Sequence, residues 1–309
     1  MNFSKVTENF LRYVKIDTQS REEFADHVPS TEKQRDLAKL LYQELVDMGA
    51  SNVRYDEEHS YVYAFIPSNQ EKEVPAIGFI AHMDTAPEFN GFGVKPQIIE
   101  NYDGGDVLLA GSGHTMSVKE FPFLPSLKGQ KLITTDGTTL LGADDKAAIA
   151  NVMVALETLA NDKTIYHGDI YVCFVPDEEI GLLGAKAIDF EKFPVDFAYT
   201  IDCCEQGEVV YETFNAGSAE VYIKGITAHP MSAKGVLVNP TLVATDLVNS
   251  FDRMQTPEHT EGTEGYIWVT AINSNVSEAR VNLVIRDHNK VLFEARKEQI
   301  KNAVEFLKL

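Results

Sequence analysis

The sequence predicts an α/β protein in two parts: a mostly parallel sheet with helices on both faces, then a small ferredoxin-like α+β layer. Three observations predict it. Residues 76–81, Ala-Ile-Gly-Phe-Ile-Ala, form a continuous apolar run, the pattern of a strand buried on both faces rather than of a half-solvated one. Up to residue 202, strand-like and helix-like segments alternate, as βα units do. From Phe214 the order becomes β-α-β-β-α, the first five elements of a ferredoxin-like unit. The chain of 309 residues is long for one compact unit. It divides on this reading into residues 1–213 and 214–309, both incomplete at their C-terminal side, the second for want of a closing strand.

The elements follow in order. Val6, Phe10, Leu11 and Val14 recur at helical spacing over residues 3–16. A polar loop over 17–29 leads to a second helix. Thr31 and Gln34 mark its start as a capping box, Leu37, Leu40, Leu41, Leu45 and Met48 form its stripe, and Gly49 ends it. Residues 52–56 and 61–66 alternate like strands. Residues 87–130 carry Asn90-Gly-Phe-Gly93, Asp103-Gly-Gly-Asp106 and Gly111-Ser-Gly113 and read as a long surface excursion beside a substrate entrance. Strand character returns over 131–141. Ile149, Val152, Met153, Leu156 and Leu159 then define a strong helix opening at Gly142-Ala-Asp-Asp. A strand over 169–175, a helical turn through Leu182 and Ala185, and an apolar run over 197–202 complete the first part. In the second, 219–226, 265–272 and 279–287 read as strands, and 239–254 and 288–309 as helices.

The ends of the apolar runs carry the chemistry. After the strand over 169–175 comes Pro176-Asp177-Glu178-Glu179. Three consecutive acids repel one another, and burial would strip their hydration. Alone, the triplet is also the composition of a solvated turn. Beside a divalent cation, one carboxylate can ligate while its neighbour takes a proton from an activated water. The run over 76–81 delivers His82-Met83-Asp84. Period-two alternation puts residues 82 and 84 on one side, so His82 can ligate through one nitrogen while Asp84 holds the ring from behind. Asp144 opens a helix, where an acid is often simply a cap, but where a rigid frame also suits a carboxylate shared between two cations. The run over 197–202 ends in Asp202. Ligands in parallel sheets gather beyond the carboxyl ends of the strands. His82, Asp144, Glu178, Glu179 and Asp202 all stand at such places. Imidazole and carboxylates without cysteine fit zinc, cobalt or manganese in a two-metal hydrolase site.

Composition narrows the partners. The sequence has 27 Lys and Arg against 47 Asp and Glu, a formal charge of −20, which argues against nucleic acid and anionic membranes. A hydrophobic content of 44% supports a packed core. Cys173, Cys203 and Cys204 make no disulfide framework, which points to a reducing compartment. No signal peptide or membrane span is visible, and the protein is expected in the cytoplasm.

The assembled motifs resemble the peptidase T family of tripeptide aminopeptidases, within the two-zinc exopeptidase group. The likeness runs through Gly78-Phe-Ile-Ala-His-Met-Asp-Thr, Thr134-Thr-Asp-Gly-Thr-Thr-Leu-Leu-Gly-Ala-Asp-Asp-Lys, Pro176-Asp-Glu-Glu-Ile-Gly and Ala198-Tyr-Thr-Ile-Asp. It continues in Tyr211-Glu-Thr-Phe-Asn-Ala, Ala228-His-Pro, Ser232-Ala-Lys-Gly, Ile285-Arg-Asp-His and Phe293-Glu-Ala-Arg-Lys. The resemblance implies two zinc ions: His82 and Asp202 on one, Asp144 bridging, Glu179 on the second. It implies Glu178 as general base, Asp84 as the partner of His82, and His229 and Arg286 from a lid domain on short peptide substrates. It also implies a homodimer through that domain.

The sequence departs from the family pattern twice. Cys203 and Cys204 stand where the family has Gly-Gly. No Gly-Gly-Thr-Asp-Gly loop and no final zinc-binding histidine follow the second part, so the second metal has only Asp144 and Glu179 from this chain. His27, His59, His114, His167 and His259 lie outside the ligand motifs, and His288 belongs to the lid match. Two alternatives to an active aminopeptidase follow: a truncated, catalytically silent relative with partial metal binding, or a carboxypeptidase or deacylase using the same metals.

Overall fold

The computed structural model describes residues 3–202 and 207–308. They form two compact units, Met1–Gln206 and Gly207–Leu309. Cys203 and Cys204 lie outside the described residues.

In the first unit, helix α1 spans Phe3–Tyr13 and α2 spans Gln34–Asp47. The capping box expected at Thr31 does not form. The Thr31 hydroxyl donates to the Gln19 carbonyl instead, and Gln34 donates 2.6 Å to the carboxylate of Asp177. The stop signal does form: Gly49 takes φ +80°, Gly49 N–H donates to Val46 and Ala50 N–H to Leu45, the paired bonds of a Schellman end.

Strands β1 (Ser51–Tyr55), β2 (Val62–Ile66) and β3 (Ile77–His82) follow. The excursion after β3 carries short strands of its own. Strand β4 (Pro96–Ile99) pairs antiparallel with β7 (Leu132–Thr135), and β5 (Val107–Leu108) with β6 (Thr115–Met116). Tyr102, Val107 and Leu124 are buried there in a cluster of their own. Helix α3 (Ala143–Asn161) and strands β8 (Ile170–Val175) and β9 (Phe197–Thr200) complete the unit.

The main sheet has the order β1-β2-β8-β3-β9. Strands β3, β8 and β9 are parallel, β2 is antiparallel to β8, and β1 is antiparallel to β2. Four of the five strands therefore point one way, and β2 alone is reversed. Along β2 and β8, alternate side chains enter different cores. Val62, Ala64, Ile170, Val172 and Phe174 pack with α1, α2 and α3. Tyr61, Tyr63, Cys173 and Val175 pack with Phe193, Ile188 and Val195 on the other face. The three long helices thus share one face, and the other is covered by the segment after β8. That segment forms only a 3-10 turn, Gly184–Ala187. Positive φ at Asp177, Gly181 and Leu182 breaks the helical path the sequence pattern implies.

The second unit runs β10 (Asn215–Lys224), α4 (Pro240–Asn249), β11 (Tyr266–Ser274), β12 (Glu278–Asp287), α5 (Lys290–Leu307). The strands form an antiparallel sheet of order β10-β12-β11. Asn239 and Asn289 cap the two helices, accepting from Thr241 N–H at 3.0 Å and Val291 N–H at 2.8 Å. Leu283, Ile285 and Val281 of β12 pack with Leu247 and Ala244 of α4 and Phe293 and Ile300 of α5.

Gly184 fixes how the segment after β8 meets that strand. A Cβ on it would lie 1.9 Å from the Pro176 carbonyl oxygen, and the Gly184 carbonyl accepts from the Tyr61 hydroxyl. Gly184→Ala should lower the unfolding free energy by about 2 kcal/mol or more, read from urea denaturation. An unchanged midpoint would show that the turn is free to move.

Candidate metal centre

The carboxyl ends of β3, β8 and β9 lie side by side, since His82 is in register with Val175, and Ile80 with Thr200. What each strand carries beyond its last residue must therefore meet. Strand β3 ends in His82 and continues to Asp84, β8 continues to Asp177-Glu178-Glu179, and β9 to Asp202. The start of α3 adds Asp144 and Asp145, joined by a cis peptide bond, before the helix becomes regular. Lys146, buried, donates 2.8 Å to the Ile16 carbonyl and ties that helix start to the chain beyond α1.

Asp84 is the joint between two strand ends. It is fully buried, and its carboxylate accepts from Glu178 N–H at 2.9 Å and Glu179 N–H at 3.2 Å. Its Oδ1 also lies 3.2 Å from His82 Nδ1. The ring is thereby turned so that Nε2 faces the acids, 2.8 Å from Asp144 Oδ1 and 3.9 Å from Glu178 Oε2. Asp177 does the same for the turn from the other side. Also fully buried, it accepts from Ser30 N–H, the Ser30 hydroxyl and Gln34 Nε2, each at 2.6 Å. Its φ of +51° sends the chain back, leaving Glu178 and Glu179 half-buried over the strand ends.

Three groups of ligand atoms lie within 4.8 Å of one another: His82, Asp144 and Glu179; His82, Glu178 and Asp202; Asp144, Asp145 and Asp202. His82, Asp144 and Asp202 each belong to two of these groups. The structure thus brings together His82, Asp144, Glu178, Glu179 and Asp202, with Asp84 behind them. It adds Asp145, which sequence reasoning passed over. Asp145 is buried and accepts from His82 N–H at 3.1 Å; its only sequence signal was the doubled acid before Lys146. No other histidine joins these groups among the described residues. His229 and Arg286 are in the second unit. His229 is exposed, and its Nδ1 accepts from Met231 N–H at 3.2 Å. Arg286 is exposed on β12.

The electrostatics are those of crowded acids. Burial, then the charge of Asp144, pushes the Glu179 carboxyl up to about 7. Burial raises Asp145 to about 8, helped by Asp202 and opposed by His82. Burial also raises Glu178 and Asp202. Asp144 alone is lowered, by its hydrogen bond from His82. Burial would lower the imidazole of His82, but bonds to Asp144 and Asp84 and the charge of Asp145 carry it up to about 11. One imidazole and five carboxylates at this spacing, without sulfur, fit divalent cations that take nitrogen and oxygen ligands.

Comparison with known proteins bears on the same segments. Residues 211–308 match a peptidase dimerisation domain, and residues 131–243 match the M42 glutamyl aminopeptidase family. Peptidase T of Clostridium perfringens is 50% identical over 303 residues, covering 98% of this chain and 74% of that protein. Aminopeptidase PepT of Bacillus cereus superposes with a TM-score of 0.74 at 24% identity, over 98% of this chain and 71% of that one. A Staphylococcus aureus tripeptidase superposes with a TM-score of 0.74 at 24% identity, over 100% of this chain and 72% of that one. These two structures share the fold. On its identity to the Clostridium relative over nearly its whole length, the chain belongs to the peptidase T family.

Proposed function

We propose that the chain is a zinc-dependent aminopeptidase that releases the N-terminal residue of tripeptides. The observation that carries it is the meeting of His82, Asp144, Glu178, Glu179 and Asp202 at one set of strand ends. His82 and Asp202 would hold one zinc, Glu179 the other, with Asp144 between them. Bound there, zinc supplies Lewis-acid polarisation and a water acidic enough to react near neutral pH.

The chain's own groups do the rest. Glu178, raised by burial toward neutral pH, is suited to take a proton from water and return it to the leaving amine. Asp84 keeps the Nδ1 side of His82 engaged, so that Nε2 presents its lone pair outward. His229 and Arg286 offer a polar contact and a cation to the peptide's carbonyl and carboxyl groups. In this reading residues 1–213 are the catalytic part and 214–309 a lid through which two copies associate, a role supported by the peptidase dimerisation match. No helix among the described residues is long and apolar enough to cross a membrane. The cysteine usage supports a cytoplasmic setting.

Turnover of tripeptides against N-acyl amino acids tests the substrate class; hydrolysis of the acyl amino acids alone would overturn the aminopeptidase reading. Glu178→Gln should lower kcat about 100- to 10,000-fold while zinc content by atomic absorption stays unchanged. Unaltered turnover would remove Glu178 from the reaction. Asp84→Ala should weaken zinc binding about 10- to 100-fold, measured by competition with a chromogenic chelator, because the ring of His82 and the amides of Glu178 and Glu179 lose their common acceptor.

The pH dependence has a fixed sign. Glu179 and Asp145 have folded-state pKa values raised to about 7 and about 8. In the zinc-free chain their protons favour the folded state. That contribution is complete below about pH 4 and is lost as pH rises through 7 and 8. Zinc must displace the same protons, so its affinity should rise from about pH 6 to pH 8. The melting temperature of the zinc-free chain should fall over that range. A dissociation constant flat in pH would show that the acids are already ionised.

A further inference from the structure

We propose that Phe214 is a positioning residue for Arg286: its ring fixes the plane of the guanidinium and leaves the N–H edge open to a carboxyl or carbonyl group of the peptide. The proposal rests on the reading of Arg286 as a substrate contact. Arg286 stands on β12 opposite Ala216 of β10 and Tyr266 of β11. Among the described residues it has no ion pair and no side-chain hydrogen bond. Its contact is with the face of Phe214, 4.7 Å from the ring centroid.

The same sheet shows what an ordinary structural arginine does. Arg280, on the same face of β12, pairs with Glu220 at 3.6 Å and lies over Tyr222. Arg296 pairs with Asp287 at 2.9 Å. Around Arg286 the neighbouring strands offer Ala216, Ser218, Phe214 and Tyr266, none of them a carboxylate. An acid at position 214 would occupy the fork of N–H donors. A ring holds the face of the cation and leaves those donors unspent.

The support beneath this pair is rigid. Asn215 is in register with Asp287, so Phe214 continues the strand opposite His288, whose ring meets it edge-on at 6.0 Å. Asp287 is buried and accepts from Asn289 N–H at 2.8 Å as well as from Arg296. The backbone on either side of Arg286 is therefore fixed by pairing and by Asp287, while Phe214 sets the side chain. A planar cation held by one face, with its edge free, matches the bidentate geometry of a carboxyl group. The ring itself is half-exposed, at 48%, so no core depends on it.

The test is tripeptide binding by calorimetry to the zinc-free protein, which needs no turnover, together with proton NMR of the Arg286 side chain. Phe214→Leu should weaken binding about three- to tenfold, with the melting temperature little changed, and should abolish the ring-current shift of the Arg286 Cδ protons. Phe214→Tyr and Phe214→Trp should restore both. Arg286→Lys should weaken binding by about tenfold or more, and Phe214→Leu should add nothing in that background. Unchanged binding in Phe214→Leu, or an additive loss in the double variant, would overturn the proposal while leaving Arg286 as a contact. Unchanged binding in Arg286→Lys would remove the contact itself, and the role of Phe214 with it.

Discussion

Everything at the strand ends depends on one buried carboxylate. Asp84 takes two backbone amides of the Glu178–Glu179 turn and one side of the His82 ring. It thereby welds the end of β3 to the turn after β8. A fully buried anion is costly unless its acceptor sites are filled, and filled they become strong. The arrangement is consequently stiff. Moving the ring would strip a donor from Asp84, and moving the turn would strip two. Asp177 closes the other side of the turn with three short bonds to Ser30 and Gln34. Between these two anions, Glu178 and Glu179 have little freedom in where they begin.

That stiffness explains how the fold tolerates five acids and an imidazole in one place. Left to relax, Asp144, Asp145, Glu178, Glu179 and Asp202 would separate into solvent. The frame prevents it: Asp145 is held by His82 N–H, Asp144 stands at the start of a helix pinned by Lys146, and Asp202 follows a strand in register with β3. The helix N-terminus favours negative charge there, but only within its first turn. Burial first, then the remaining repulsion, raises the carboxyl pKa values, and the same acids raise the imidazole. A divalent cation would have to displace those protons, and would then meet ligands already gathered. The apolar layers on both faces of the sheet keep the strands in place.

The strand-end logic was legible because it is local. An apolar run followed by His-x-Asp, by Asp-Glu-Glu or by a lone Asp can be read without knowing what lies beside it, and parallel pairing then brings such ends together. What could not be read depends on partners far along the chain. Asp177 looked like one acid of a ligand triplet; its role comes from Ser30, 147 residues away. Thr31 and Gln34 have the spacing of a capping box, yet Gln34 is drawn off by Asp177. Asp145 differs from Asp144 only by pointing inward, which spacing does not reveal. The segment 87–130 read only as a surface excursion, because its glycines do not reveal that β4 pairs with β7 or β5 with β6. The turn after β8 had helical spacing, but positive φ at Asp177, Gly181 and Leu182 overrides it.

The second unit uses charge by the opposite principle. At the metal centre, groups of like sign are forced together and wait for a counter-ion. On β12, one cation is kept apart from acids in a chain that carries 47 of them. Keeping it apart takes more than chance, since Arg280 on the same face finds Glu220 across the strand. Small or aromatic neighbours achieve it for Arg286. Both devices withhold a partner that the protein could have supplied from its own side chains. The ligand atoms gathered at the strand ends suit a divalent cation, and the open edge of Arg286 suits, on the proposal above, a carboxyl or carbonyl oxygen. What unites the two units is therefore unsatisfied charge, held in place by groups that are themselves fully satisfied: Asp84 and Asp177 in the first, Asp287 in the second.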